Sequence, residues 1–468
     1  MKKSTLTIFM VFATIVAFTQ NLINEPKVDE RAELLSIAFR LAGIKEYVNN
    51  DISNYSSKID SCFDKYKNDN LIKFIKSIRK KQGVAYDAVM SMAIHLEIIN
   101  GTIKLKDDVK DNSIDSRWGN KAAEFVKYLN DFYSKSHFHD FFLKNSGLYS
   151  ESEKRFKEIL SSVDFNWFGK FYGELPRGNF IIILSMTNGG SNYGSDISFK
   201  NGNKDIYAFM GINDIDSLGL PVYTKFTIET IIHEFNHSFC NNLIDSNYSQ
   251  MEDMGGKFFN LVSDKMREQA YGSTKFMLCE MLVRACVIKY YQANDTSKMK
   301  IKRMISSEQA NGFIWIDTLV NALSYYENER SLYPTLEKFM PEIVKIQNSL
   351  VPEKILIKTE KSRPQIVSFS ITNNDKNVDP NTKELILTFD RPMFTRPYGM
   401  SYGKGGKNCF PKITSVKWDL IKKNELIISL ELMPNKEYSI SFPSSFMLDE
   451  NGFVMKETYY LDFKTRIK

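Results

Sequence analysis

The chain is 468 residues long, 43% apolar and 25% charged, with only 23 Gly and 13 Pro. Such a length accommodates two to four domains at about 100–200 residues each, and an aromatic content of 13% excludes a disordered or collagen-like chain. Lys and Arg number 62 against 56 Asp and Glu, a net charge of +6. That excess is too small and too scattered to argue for nucleic acid, and the runs Arg79-Lys80-Lys81 and Lys298–Arg303 read as solvated helix faces.

Met1-Lys2-Lys3 and the apolar stretch Leu6–Phe18 read as residues 1–19 of a signal peptide, with cleavage near Thr19–Gln20. The stretch is too short for a stable membrane span, and no other apolar run reaches about 18 residues. No Cys precedes Cys62, so the cysteine that anchors bacterial lipoproteins is missing. An exported protein is expected, periplasmic, cell-surface or extracellular, without a transmembrane segment in its mature form. The five cysteines, Cys62, Cys240, Cys279, Cys286 and Cys409, make no disulfide scaffold. Buried free thiols are expected, with Cys240–Cys279 as the one candidate bridge.

From about Asp29 to Leu350 the pattern is mainly helical. Glu33–Leu41 repeats apolar residues at i, i+3, i+4 and i+7 before Gly43, and Ala85–Ile99 reads as another helix. Phe180–Leu184 is a buried strand by composition, Asn188–Gly194 a loop by turn chemistry, and Asp205–Met210 a second strand. Helices resume from Phe226. Residues 351–362 read as a linker, and from 363 to 468 short alternating segments (Ile366–Phe369, Leu385–Phe389, Leu426–Leu430, Tyr438–Phe442) argue for a β-sandwich. No internal repeat or low-complexity segment is present. The fold class is therefore α+β: a mainly helical domain over residues 20–350 with a small sheet, followed by an all-β sandwich.

The chemistry lies in Thr230-Ile231-Ile232-His233-Glu234-Phe235-Asn236-His237-Ser238-Phe239. His233 and His237, four apart on a helix, project one turn above each other and can reach one zinc ion. Glu234 is turned from direct ligation but can take a proton from a water held there. A catalytic zinc needs a third protein ligand, and no His follows His237. A carboxylate is therefore required, from among Asp245, Glu252, Asp253, Asp264, Glu268 and Glu280. Glu280 stands out because Phe276–Ile288 is apolar on nearly every side, with only Glu280 and Arg284 charged. A buried carboxylate must be neutralised or paired, and zinc would supply the counter-charge. The plain alternative is an i, i+4 pair between Glu280 and Arg284. Glu229 reads as a surface residue, His95 as structural, and His137-Phe138-His139 as incidental rather than a second metal pair.

With these residues the segment resembles the zincin clan of zinc metallopeptidases, in the branch whose third ligand is a glutamate on a later helix. The continuation of a third-histidine branch is absent, since position 240 is Cys and 243 is Leu. The resemblance implies zinc held by His233, His237 and Glu280, with Glu234 activating water. It further implies an oxyanion donor among Tyr193, Tyr271 and Tyr290, an orienting role for Arg284, and Asp205–Met210 as the edge strand that pairs with substrate. From Glu30-Arg31-Ala32-Glu33-Leu34-Leu35-Ser36 through the His-Glu helix, the chain also resembles a family of exported bacterial proteins known as a domain of unknown function. Val378-Asp379-Pro380, Phe389–Met393, Pro434–Tyr438 and Asp449–Gly452 make residues 363–468 similar to bacterial immunoglobulin-like modules.

The expected activity is that of a secreted zinc peptidase acting on peptide or protein substrates. The sandwich is a candidate for glycan or cell-surface contact. The rival expectations are a zinc amidase or cell-wall hydrolase, and a non-enzymatic surface-binding protein with a relic site.

Overall fold

The computed structural model describes residues 25–48, 52–110, 113–174, 178–294, 297–395 and 399–467. The leader expected at residues 1–19 lies outside the described residues. The fold is α+β, helices and small sheets preceding a β-rich region. Among the described residues, no helix is long and apolar enough to cross a membrane. Two compact units divide the chain, one running to Leu243 and including Pro334–Glu337, the other holding the remaining residues from Ile244 onward.

In the first unit, helix Glu30–Leu41 starts at Asp29, whose side chain accepts from the Arg31 backbone N–H. The apolar stripe expected here becomes burial on every side, Glu33 and Ser36 included. Both polar groups are satisfied internally. Ser36 Oγ donates to Ala32 O at 2.7 Å, while Glu33 accepts from Tyr55 Oη at 2.9 Å and Met186 N at 2.8 Å.

The helix expected over Ala85–Ile99 runs only from Asp87 to His95. Leu96–Ile99 (β1) instead pairs antiparallel with Thr102–Leu105 (β2). Asn100 and Gly101, both with positive φ (49° and 76°), form the two-residue turn that suits such a hairpin.

The central sheet has the order β3-β5-β4, from Asn179–Ser185 (β3), Tyr193–Ser198 (β4) and Lys204–Gly211 (β5). β3 and β5 are parallel, and β4 is antiparallel to β5. β4 was hidden by its own composition: Tyr193-Gly194-Ser195-Asp196 carries turn residues yet pairs along β5 from Tyr193↔Phe209 to Ser198↔Lys204. The segment Asp205–Met210, expected at the edge, is consequently the middle strand. β4 is an edge strand.

The second unit continues the long helix Lys225–Glu268 beyond Leu243 and reverses at Ala270 (φ +65°), where Tyr271 N donates to Met266 O. Helices Thr274–Asn294, Lys298–Ala310, Ile316–Asn328 and Pro352–Ser362 follow. The last occupies the span read as a linker. Pro352 sits in its first turn, a position that suits proline, and Thr359 is buried with its hydroxyl donating to Ile314 O.

The β-rich end forms two sheets. One is β6-β7-β10-β9, from Ile366–Phe369, Glu384–Phe389, Glu425–Glu431 and Lys412–Trp418. The other is β12-β11-β8, from Tyr459–Lys464, Glu437–Phe442 and Ser401–Tyr402. Their alternating inward residues, among them Leu385, Leu387, Leu426, Ile428, Ile440 and Leu461, share one core. The four strands read from alternation are all present. None of the five cysteines is in a disulfide, so the candidate Cys240–Cys279 bridge does not form.

Candidate metal centre

Thr224 opens the motif helix, its Oγ1 accepting from Phe226 N. Ile231, Ile232, Phe235 and Phe239 form its buried stripe. Phe235 lies with its ring centroid 4.6 Å from that of Phe180 on β3 and 4.4 Å from that of Phe168, and Phe239 stacks on Tyr172 at 3.9 Å. This packing fixes the rotation of the helix, so that His233, Glu234 and His237 fall on a neighbouring, half-buried face.

His237 Nε2 lies 3.2 Å from His233 Nε2. A tetrahedral cation with metal–nitrogen bonds of about 2.0–2.1 Å needs its two nitrogens roughly 3.3–3.4 Å apart, so the pair already has that spacing. One turn on, Asn241 Oδ1 stands 3.0 Å from His237 Nδ1. An amide oxygen can only accept, so this contact suits the tautomer protonated at Nδ1, which leaves Nε2 its lone pair for a cation. Ligand atoms of His233, His237 and Glu280 all lie within 4.8 Å of one another. These three side chains, one buried carboxylate and two half-buried imidazoles, could hold a metal ion.

Glu280 rides on helix Thr274–Asn294, which packs tightly on the second half of the long helix. A Cβ at Gly255 would lie 3.0 Å from both Leu278 Cδ1 and Thr274 Cγ2, so any larger residue there would push these side chains aside by a few tenths of an ångström. Arg284 Nε is 3.3 Å from Glu280 Oε2, which realises the expected i, i+4 pair. The guanidinium is shared, however: Nη1 donates to Glu308 Oε2 at 2.7 Å and Nη2 to Tyr271 Oη at 3.0 Å. Burial first, and the charge of Glu280 next, push the Tyr271 hydroxyl up to about 12.

The other expected residues divide clearly. Tyr193 pairs across the sheet with Phe209, whereas its neighbour Gly194 pairs with Ala208 and faces the motif helix. A Cβ at Gly194 would meet Glu234 Oε2 at 2.8 Å. Strand alternation therefore turns Tyr193 to the opposite face, beside Tyr86, and away from Glu234. Tyr290 is buried against Tyr291. Asp245, Asp253 and Asp264 are exposed and engaged by Lys275, Lys257 and Arg267, and Glu252 by Tyr248. Glu229 and Glu268 are exposed. His95 is buried and held by Ser91 O and Ser113, and burial lowers its pKa. His139 pairs with Glu30, and His137 lies 3.9 Å from Asp140.

Three residues of the site escaped the sequence reading. Asn241 carried a signal, since it extends the four-residue stride of His233 and His237. Gly194 was absorbed into a turn-rich segment. Glu308 stands on a separate helix, Lys298–Ala310, at no diagnostic spacing.

A family described as Domain of unknown function (DUF4932) matches residues 21–346, well over half of the chain. The chain belongs to the DUF4932 family. That span of the DUF4932 match includes His233, Glu234, His237 and Glu280. No curated protein matches the chain. Among solved structures, it is similar to "The crystal structure of CopC from Methylosinus trichosporium OB3b", at 18% identity over 22% of this chain and 94% of that one, with a TM-score of 0.19. A likeness at that score carries no argument about this DUF4932 chain.

Proposed function

We propose that the protein is a secreted zinc-dependent peptidase that hydrolyses peptide bonds with a metal-activated water. One observation carries the reading: two imidazole nitrogens at the spacing of a tetrahedral ligand pair, grouped with a buried carboxylate. His233, His237 and Glu280 would hold the zinc, a two-nitrogen, one-carboxylate set suited to that ion. Zinc, when bound, supplies a Lewis acid that polarises a carbonyl and makes a water acidic near neutral pH.

Glu234 takes the proton of the attacking water on its carboxylate and delivers it to the leaving amine. Gly194 supports this role, because the missing side chain leaves Glu234 Oε2 room beside β4. β4 is also an edge strand of its sheet, which suits docking of an extended peptide backbone. The Tyr271 hydroxyl, oriented by Arg284 beside Glu280, is the candidate for stabilising the oxyanion. The leader-like N-terminus supports export, and the sandwich is a candidate for glycan or surface contact.

The test is Glu234→Gln assayed on a panel of quenched-fluorescent peptides, with metal content measured in parallel. Hydrolysis should fall about 10²- to 10⁴-fold while one equivalent of zinc is retained. Undiminished hydrolysis would contradict the assignment.

A further inference from the structure

We infer that Glu308 is a positioning residue for the metal centre: by holding the closer part of the Arg284 guanidinium, it keeps the Glu280 carboxylate negative enough to attract a divalent cation. The inference rests on the metal-centre reading above and deepens it.

Arg284 has three polar neighbours and makes unequal use of them. Its tightest contact, 2.7 Å, goes to Glu308 Oε2, and its Nη2 donates to Tyr271 Oη at 3.0 Å. The approach of Nε to Glu280 Oε2, at 3.3 Å, is close enough for an ion pair but not aligned as a hydrogen bond. The Phe313 ring, 4.6 Å from the guanidinium carbon, and the Tyr271 hydroxyl hold the guanidinium in this orientation. All three charged side chains are largely buried, at 11%, 17% and 19% exposure for Glu280, Arg284 and Glu308. Charges so placed are weakly screened.

Glu280 and Arg284 alone form a neutral pair, with little attraction for a cation. Adding Glu308 brings the three to one net negative charge and orients the guanidinium toward itself. Glu308 thus acts through Arg284 on Glu280, without contributing a ligand atom to the grouped donors.

The experiment uses the full chain, stripped of metal with a chelator and titrated with zinc against a chromogenic competitor. Glu308→Gln keeps an oxygen that can accept from Arg284 but removes the charge, and its zinc Kd should weaken at least fivefold. Glu308→Asp, which keeps the charge, should stay within about twofold of the native chain. The metal-free Glu308→Gln protein should melt no lower than the native metal-free chain, since a carboxylate serving only as a structural prop would move that value.

A Kd change below fivefold in Glu308→Gln, an equal weakening in Glu308→Asp, or a lowered metal-free melting temperature would each overturn the inference. Glu280→Gln in the same titration separates the two readings. If that variant binds zinc as the native chain does, the metal centre itself has failed, whatever Glu308 does.

Discussion

The C-terminal sandwich and the helical region around the His-Glu motif bury very different things. The sandwich core runs from Ile366 through Leu387, Phe389, Leu426 and Ile440 to Phe463, and the charged residues buried in that region, Arg363 and Asp449, bind backbone: Arg363 donates to Met455 O, and Asp449 accepts from Asn451 N and Phe453 N. The helical region buries Glu33, His95, Glu280 and Lys289 among its apolar residues. Each of these four has named neighbours: Tyr55 and Met186 for Glu33, Ser91 for His95, Arg284 for Glu280, and Glu327 with Ser324 for Lys289. Burying a charge costs free energy that an apolar residue of similar volume would not incur. The sandwich therefore reads as stability, whereas the helical region reads as chemistry held inside a core.

Three substitutions break or sharpen that contrast. Ile440→Ala, at a fully buried position of the sandwich, should cost about 2–5 kcal/mol in chemical denaturation. Its effect should be on stability alone, with zinc stoichiometry unchanged. Loss of metal from this variant would mean that the sandwich core and the metal centre are coupled.

Glu33 should show the opposite behaviour, a charge effect without a cavity. Burial pushes its carboxyl up to about 7, against hydrogen bonds from Met186 N–H and Tyr55 that act to lower it. Between pH 4.5 and 7 the unfolded chain has lost this proton while the folded chain still holds it. The contribution of Glu33 is thus fully present below pH 4.5 and is lost as pH rises through about 7, a decline of roughly 3 kcal/mol. Stability measured across that window should fall in the native chain and lose this component in Glu33→Gln. An unchanged slope in the variant would remove Glu33 as the cause.

The smallest effect is expected from Gly194→Ala. The new Cβ displaces only the flexible end of Glu234, so stability should barely change. kcat should fall about 10- to 100-fold, within the range that general acid–base positioning controls, while zinc affinity stays as it was. A parallel loss of zinc affinity would show that the strand acts on the ligands rather than on Glu234.

Much of this was legible from residue patterns, and the exceptions have physical causes. His233, His237 and Glu280 were readable because a four-residue spacing and a lone acid on an apolar helix are local signals. Four strands of the sandwich, β6, β7, β10 and β11, were readable from alternation, which burial follows closely in β7 and β10, whereas β8, β9 and β12 were not. β4 was not, because its partner β5 overrides the turn preference of Gly194, Ser195 and Asp196. The hairpin at Leu96–Leu105 was hidden by apolar residues equally at home in a helix, although Asn100-Gly101 carried the turn signal. The shared guanidinium of Arg284 depends on Glu308 and Phe313 arriving from later segments, which no spacing in the chain announces.

Metal analysis of the purified full chain beside Glu280→Gln and His233→Ala tests the central claim most directly. The account predicts one equivalent of zinc in the native chain and its loss from both variants. Native protein without a bound transition metal after zinc-supplemented preparation, or variants that retain a full equivalent, would contradict it.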